Sequence, residues 1–260
     1  MTQLDATRDV EIRPCSSVAE FAECVRIQHA IWGESIAVPV PMFVVAHHSG
    51  GEVLGAYSGD ELVGFTLAYA GTRSGTPFIH SHMAAVLPDY RDRGVGRELK
   101  MRQRTEALKR GIRLIEWTFD PFDLKNGYFN FARLGVVARR YIPNCYGLTD
   151  SPLHAGLPTD RLVAEWWLDS GRVRQILDEI PQPKDEQAER ISIPASFAAL
   201  RELDRAAAAS LQSDLRSQFQ SWLEKGYAAT GIESREGATD YILQPVSGIE
   251  GLELSPWAES

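Results

Sequence analysis

The sequence predicts an α/β (α+β) fold: a mixed, largely antiparallel central sheet flanked by helices, followed by a C-terminal strand–helix–strand extension. Three observations point to it. Apolar runs of strand length alternate with helical stripes, so strands stand on both sides of helices in chain order. Two such runs near the start, 52–57 and 61–69, are separated only by Ser58-Gly59-Asp60, which reads as a hairpin turn. Residues 79–99 read as a strand, a tight glycine turn and a helix.

Taken in order, Val10-Glu11-Ile12-Arg13 alternates as a first strand. Ser16 or Ser17 caps the next helix, where Val18, Phe21, Ala22, Val25, Ile27 and Ile31 form a broad apolar stripe. Pro39 and Pro41 interrupt the chain before a short apolar segment, 42–46. The hairpin follows, and 71–77 is a loop leading into the strand that carries His80 and His82. The helix after the glycine turn runs to about Arg110, where Gly111 stops it. Residues 112–119 form a strand closed by Asp120-Pro121, and a helix over 124–134 stops at Gly135. Two more strands, 136–141 and 161–168, enclose a loop with Asn144-Cys145-Tyr146-Gly147. Beyond Ser170 the character changes. A polar linker at 181–186 precedes a strand at 191–194, a long helix over 196–225 and a closing strand pair, 227–232 and 241–244. The long helix carries one stripe: Phe197, Leu200, Leu203, Ala207, Leu211, Leu215, Phe219 and Trp222.

Composition narrows the function classes. A chain of 260 residues can bury a full core, and a formal charge of −8 disfavours nucleic acid or an anionic membrane as partner. Arg97, Lys100, Arg102, Arg104, Lys109 and Arg110 nonetheless make one basic helix, either a solvated face or an attractor of phosphate. Cys15, Cys24 and Cys145 have no metal-like spacing, and their odd number argues against a disulfide framework. The N-terminus has no hydrophobic signal core and no apolar run reaches membrane-spanning length, so a cytoplasmic protein is expected.

The chemistry-bearing residues cluster around the glycine turn. In Arg91-Asp92-Arg93-Gly94-Val95-Gly96 the glycines allow backbone N–H groups to approach a ligand, and the helix start offers unpaired amides to a phosphate. The plainer reading is a strand–helix turn that needs glycine for positive φ. Upstream, His80 and His82 lie two apart on a strand and share a face. A neutral imidazole there suits removal of a proton from an ammonium group. The alternatives are two structural histidines, or a zinc pair that lacks further ligands at recognisable spacing. Glu116, Thr118 and Asp120 give one strand a polar face, and a carboxylate at its carboxyl end is placed to grip an ammonium substrate.

Arg91, Gly94 and Gly96, after the strand ending Ala84-Ala85-Val86-Leu87-Pro88, resemble the acyl-CoA-binding core of the GNAT superfamily of N-acyltransferases over roughly residues 9–169. The run from His80 to Arg91 is similar to the serotonin N-acetyltransferase branch, with its His-x-His pair. Trp117-Thr118-Phe119-Asp120-Pro121 and Asn130-Phe131-Ala132-Arg133-Leu134-Gly135 resemble a bacterial GNAT subgroup, some of whose members accompany amino-acid racemases and acylate amino acids. The resemblance implies a catalytic domain at 1–170 with 171–260 packed on it as an extension. It implies acetyl-CoA or another acyl-CoA as co-substrate, with no metal. Amides of Arg93, Gly94, Val95, Gly96 and Arg97 would hold the pyrophosphate, within the turn opened by Arg91 and Asp92. Ala84, Ala85 and Val86 would pair with the pantetheine arm, and Asn130 would add a contact. His82 and His80 would relay the proton of a small-molecule amine, acetylated by default and succinylated as an alternative. Phe131 stands where many relatives have a tyrosine general acid; Tyr128, one helical turn back, is the first candidate in its place, with Tyr141 and Tyr146 as further ones. Glu116 and Asp120 would bind the amine, and the C-terminal stripe is core or a homodimer interface. The competing reading is a non-catalytic acyl-CoA sensor or scaffold on the same fold.

Overall fold

A computed structural model describes residues 10–34, 36–147, 156–181, 188–249 and 251–252. The chain divides into two units, 1–115 and 116–260, and the division falls inside a strand. The elements form the mixed, mostly antiparallel sheet architecture with flanking helices that the sequence predicts. No helix among the described residues is long and apolar enough to cross a membrane.

In the first unit β1 (Val10–Pro14), β2 (Glu52–Ser58), β3 (Glu61–Arg73) and β4 (Thr76–Val86) pair antiparallel in that order. The helices are α1 (Val18–Trp32), α2 (Val40–His48) and α3 (Val95–Lys109). Ser17 starts α1 through a capping box: its Oγ accepts from Glu20 N at 3.2 Å, and Glu20 Oε2 accepts from Ser17 N at 3.1 Å. Phe21, Cys24 and Ile27 of α1 and Phe43 and Ala46 of α2 bury one sheet face with Phe65 and Leu67. Val95 and Leu99 of α3 cover the other with Leu54, Ala56 and Val63. Val18, expected in the α1 stripe, is 64% exposed.

Two connections differ from expectation. Pro41 sits in the first turn of α2, where no helical N–H is required of it, so the apolar segment is a helix. The expected loop at 71–77 is a tight hairpin: Ser74 and Gly75 take φ of 47° and 80°, and pairing continues to Arg73↔Thr76.

The second unit holds β5 (Leu114–Phe119), β6 (Val137–Ile142), β7 (Arg161–Trp167), β8 (Glu189–Pro194), β9 (Tyr227–Arg235) and β10 (Ala238–Pro245) in the order β5-β7-β6-β9-β10-β8. Because β9 pairs with β6 at Ala138↔Ala229, the C-terminal strands extend the sheet of their own unit. Helix α4 (Leu124–Tyr128) runs into a π-helical turn, Phe129–Leu134, where one continuous α-helix was expected. Helix α5 (Gly171–Leu177) was not expected; Ser170 caps it by accepting from Val173 N at 3.2 Å. The predicted long helix is two, α6 (Phe197–Leu203) and α7 (Arg205–Glu224). Asp204 leaves helical geometry to cap α7, accepting from Ala207 N at 3.0 Å, and Leu203 is consequently exposed. Helix α7 packs Phe219 on Tyr141, ring centroids 5.5 Å apart. The predicted linker lies, apart from Pro181, outside the described residues.

Candidate active site

Helix α3 begins without a side-chain cap. Its N-cap is Gly94, in the left-handed region at φ 85°, ψ −9°. The first amide to find a helical acceptor is that of Glu98, which donates to Gly94 O at 3.0 Å. The N–H groups of Val95, Gly96 and Arg97 therefore precede the helical ladder. Asp92 is also left-handed, at φ 59°. A Cβ built on Gly94 or Gly96 meets nothing within 4 Å, so the space beside both glycines is open. Arg91 Nε donates to Val86 O at 3.0 Å and ties the turn to the strand. Arg93 lies 5.6 Å from the Tyr90 ring. Val95 is buried in the α3 core and anchors the helix start.

The strand before the cradle carries a β-bulge. Met83 pairs with Leu67 and Ser81 with Ala68, so His82 is the extra residue. The bulge turns His82 and Met83 to the same face, that of Phe65, Leu67 and Tyr69. His80 joins them, its ring centroid 5.9 Å from that of His82. Tyr69 meets His82 edge-on at 5.7 Å. Although His82 retains solvent exposure, desolvation of its ring lowers its pKa from 6.5, which favours the neutral, proton-accepting form. Ala84, Ala85 and Val86 pair with Thr66, Phe65 and Gly64 of β3; Ala85 packs into the core, while Ala84 is exposed.

The remaining predicted residues lie in the second unit. Asn130, in the π turn, is buried with its side-chain Nδ2 unpartnered. Phe131 is core, packed edge-on against Phe119 at 6.0 Å and Tyr241 at 5.9 Å. Tyr128 is half exposed, with Arg133 5.9 Å from its ring. Glu116 is buried and accepts from Arg140 Nη2 at 2.8 Å, so its carboxylate serves an internal ion pair. Asp120 borders a small pocket of about 10 Å³, room for about one water, lined also by Phe122, Leu157, Pro158, Phe197 and Arg201. Its Oδ1 accepts from Phe122 N at 2.8 Å, and Oδ2 lies 4.0 Å from Arg201 Nη1. Phe122 and Phe197 stack at 4.1 Å and form one wall.

The profile of the Acetyltransferase (GNAT) family matches residues 18–129, from α1 to the end of α4. The chain carries a GNAT acetyltransferase domain. Comparison with curated proteins gave no match. Solved structures share the fold. Arabidopsis thaliana Naa50, in complex with the bisubstrate analogue CoA-Ac-MVNAL, is 16% identical at a TM-score of 0.50, covering 60% of this chain and 97% of its own. Arabidopsis thaliana NAA60 with acetyl-CoA is 13% identical at 0.50, covering 61% and 99%. The NatC complex bound to Gag peptide and CoA matches at 12% identity and 0.51, over 60% and 97%.

The matched domain is a GNAT acetyltransferase domain, and the site residues expected from the sequence divide between the two units. In the first unit the GNAT domain brings together the turn 91–97 and sets His80 and His82 side by side. In the second, Asp120 borders a small pocket, whereas Glu116 is paired internally. Among the described residues no group of three His, Cys, Asp or Glu could hold a metal ion. Sequence reading missed Arg201, because the unexpected break at Asp204 moves α6 away from the line of α7. It also missed Tyr69, which a hairpin register with a bulge alone could have placed beside His82.

Proposed function

We propose that the protein moves an acyl group, acetyl by default and succinyl as the alternative, from acyl-CoA to the amine of a small molecule, foremost an amino acid. The observation that carries this is the uncapped start of α3: three amides ahead of the helical ladder, a left-handed Gly94 and open space at both glycines. Each charge-assisted contact from such an amide to a diphosphate contributes about 1.5–3 kcal/mol. Residues 1–170 supply the transferase core in this reading, and 171–260 the extension packed on it. Ala84, Ala85 and Val86 lie along the thioester arm, and Asn130 donates to it.

Transfer is direct, in a ternary complex. Only a neutral amine attacks a thioester, so a base must first take the ammonium proton. His82 takes it, with His80 as relay; the depressed pKa of His82 keeps it neutral at pH 7. Backbone amides along the thioester arm, rather than those of the cradle, polarise its carbonyl and stabilise the charge that develops on the oxygen. Tyr128 is the acid for the leaving thiolate. Beside the small pocket a carboxylate stands next to a guanidinium, a pair that suits an amino acid: Asp120 for its ammonium, Arg201 for its carboxylate. One observation favours the second reading, an acyl-CoA sensor: the tyrosine position of many relatives holds Phe131, packed in the core.

The test mixes purified protein with acetyl-CoA and pooled amino acids and follows free thiol. Amine-dependent thiol release, lost in the His80→Ala, His82→Ala double variant, supports the transferase. Acetyl-CoA binding without release across a broad amine panel supports the sensor.

A further inference from the structure

The glycine cradle and the histidine bulge share one support that neither uses chemically. Lys100 lies on α3 with its amine buried beneath the helix: it is 4% exposed, and Nζ donates to Ser81 Oγ at 2.7 Å and to Gln103 Oε1 at 3.2 Å. Ser81 is the last residue of β4 before the bulge. Across the sheet, Glu52 of β2 pairs with Ala68 of β3, and Ala68 with Ser81. These three form one row beneath α3, spanning two strand spacings, about 10 Å. Ala68 at its centre is small enough to leave the amine room.

The neighbourhood is an expensive one for a lysine. Burial lowers the Lys100 pKa to about 7 against the attraction of Glu52, and burial, with Glu106 adding to it, raises Glu52 to about 7. Glu52 Oε1, Thr66 Oγ1 and Gln103 Nε2 are buried without hydrogen-bond partners. A Met or Leu at position 100 would fill the same space without this desolvation. Buried polar groups kept at such cost are best attested as devices that fix register.

Here the register matters. Without the bulge, the ladder that sets Met83 opposite Leu67 would place His82 opposite Ala68 and Ser81 opposite Tyr69. His82 would then lie under α3 against the Lys100 ammonium, and the hydroxyl would face the Tyr69 side. The bulged register alone puts a hydroxyl under the amine and both imidazoles on the opposite face.

We propose that Lys100 is a positioning residue: its contact with Ser81 locks the β4 bulge and so decides which face of the sheet His80 and His82 present. That the lock serves catalysis rests on His82 acting as base; the lock itself does not.

The test therefore avoids turnover. In the full chain, histidine ring and β4 amide NMR signals are recorded for wild type, Lys100→Met, Ser81→Ala and Ser81→Thr, with thermal melting alongside. Wild type and Ser81→Thr, which keeps the hydroxyl, are expected to give one set of His80 and His82 signals with a Tyr69–His82 cross-peak. Lys100→Met and Ser81→Ala are expected to give two sets, and exchange of the amides at 81–83 about tenfold faster. Should Lys100→Met fail to fold, Ser81→Ala, which removes one oxygen, gives the decision. A single set of signals with unchanged titration in Ser81→Ala, or two sets in Ser81→Thr, overturns the proposal, whatever happens to the melting temperature. An inactive protein with a locked bulge would instead count against the transferase alone.

Discussion

Tyr69 and His82 meet edge to face, ring centroids 5.7 Å apart and planes inclined by 64°. They come from neighbouring strands and reach each other because β4 carries one residue more than β3 at this point. Burial raises the Tyr69 pKa, so the phenol stays protonated, while desolvation lowers that of His82. A neutral base beside a neutral aromatic is the consequence.

The pH profile follows from that pair. Below its pKa His82 is imidazolium and cannot accept a proton, so kcat/KM should rise with pH through a value under 6.5 and then level. Tyr69→Ala admits water to the ring and should move this limb up toward 6.5. His82→Gln should lower kcat by about 100-fold. Rate measurements against pH with acetyl-CoA decide it: a limb that stays put in His82→Gln assigns the base elsewhere.

Gly94 and Gly96 should separate stability from binding. Gly96→Ala adds a Cβ in open space within the first helical turn, so stability should hold or improve by about 0.5–1 kcal/mol. The same methyl stands beside the amides, and acetyl-CoA affinity should fall about tenfold or more. Gly94→Ala, at φ 85°, should lose both affinity and about 1–2 kcal/mol of stability. Calorimetric titration and thermal melting read the two effects independently.

Arg201 should act as a selector of carboxylate-bearing acceptors. Losing a charge-assisted contact of about 1.5–3 kcal/mol, Arg201→Ala should raise KM for amino acids at least tenfold. KM for amines lacking a carboxylate should barely change. Equal losses for both kinds of amine would remove Arg201 from the acceptor site.

Acid stability should reflect Glu20. Burial opposes ionisation of this carboxylate, but hydrogen bonds from the Ser16 amide, Arg13 and Ser17 outweigh it and lower the pKa to about 2. A depressed carboxylate pKa stabilises the fold above the unfolded value of about 4.3, and the contribution disappears as pH falls through about 2. Glu20→Gln should thus lower Tm by about 2–4 °C at pH 7 and change little near pH 2. Melting curves across that range check the sign.

Local chemistry made much of the fold legible. Ser17, one of the two expected caps, does start α1, and the structure adds Glu20 as its capping-box partner. Gly94, Gly111, Gly135 and Gly226 all take positive φ at the turns where they were expected. The π turn at Phe129–Leu134 was not legible, because one extra residue in a helical turn leaves the apolar pattern of a helix intact. Asp204 was hidden likewise: an aspartate reads as a surface residue until its side chain caps a new helix. Ser170 capped a helix too short to show periodicity.

By itself the sequence determined the strand–glycine–helix unit, the His-x-His pair and the family, since each depends on neighbours in the chain and on backbone freedom that glycine alone supplies. Tertiary structure decided which face the histidines take, that Glu116 is bound to Arg140, and that Arg201 stands beside Asp120. Those outcomes turn on register, burial and the meeting of distant segments, and a one-residue slip that no local pattern forbids would reverse the first of them.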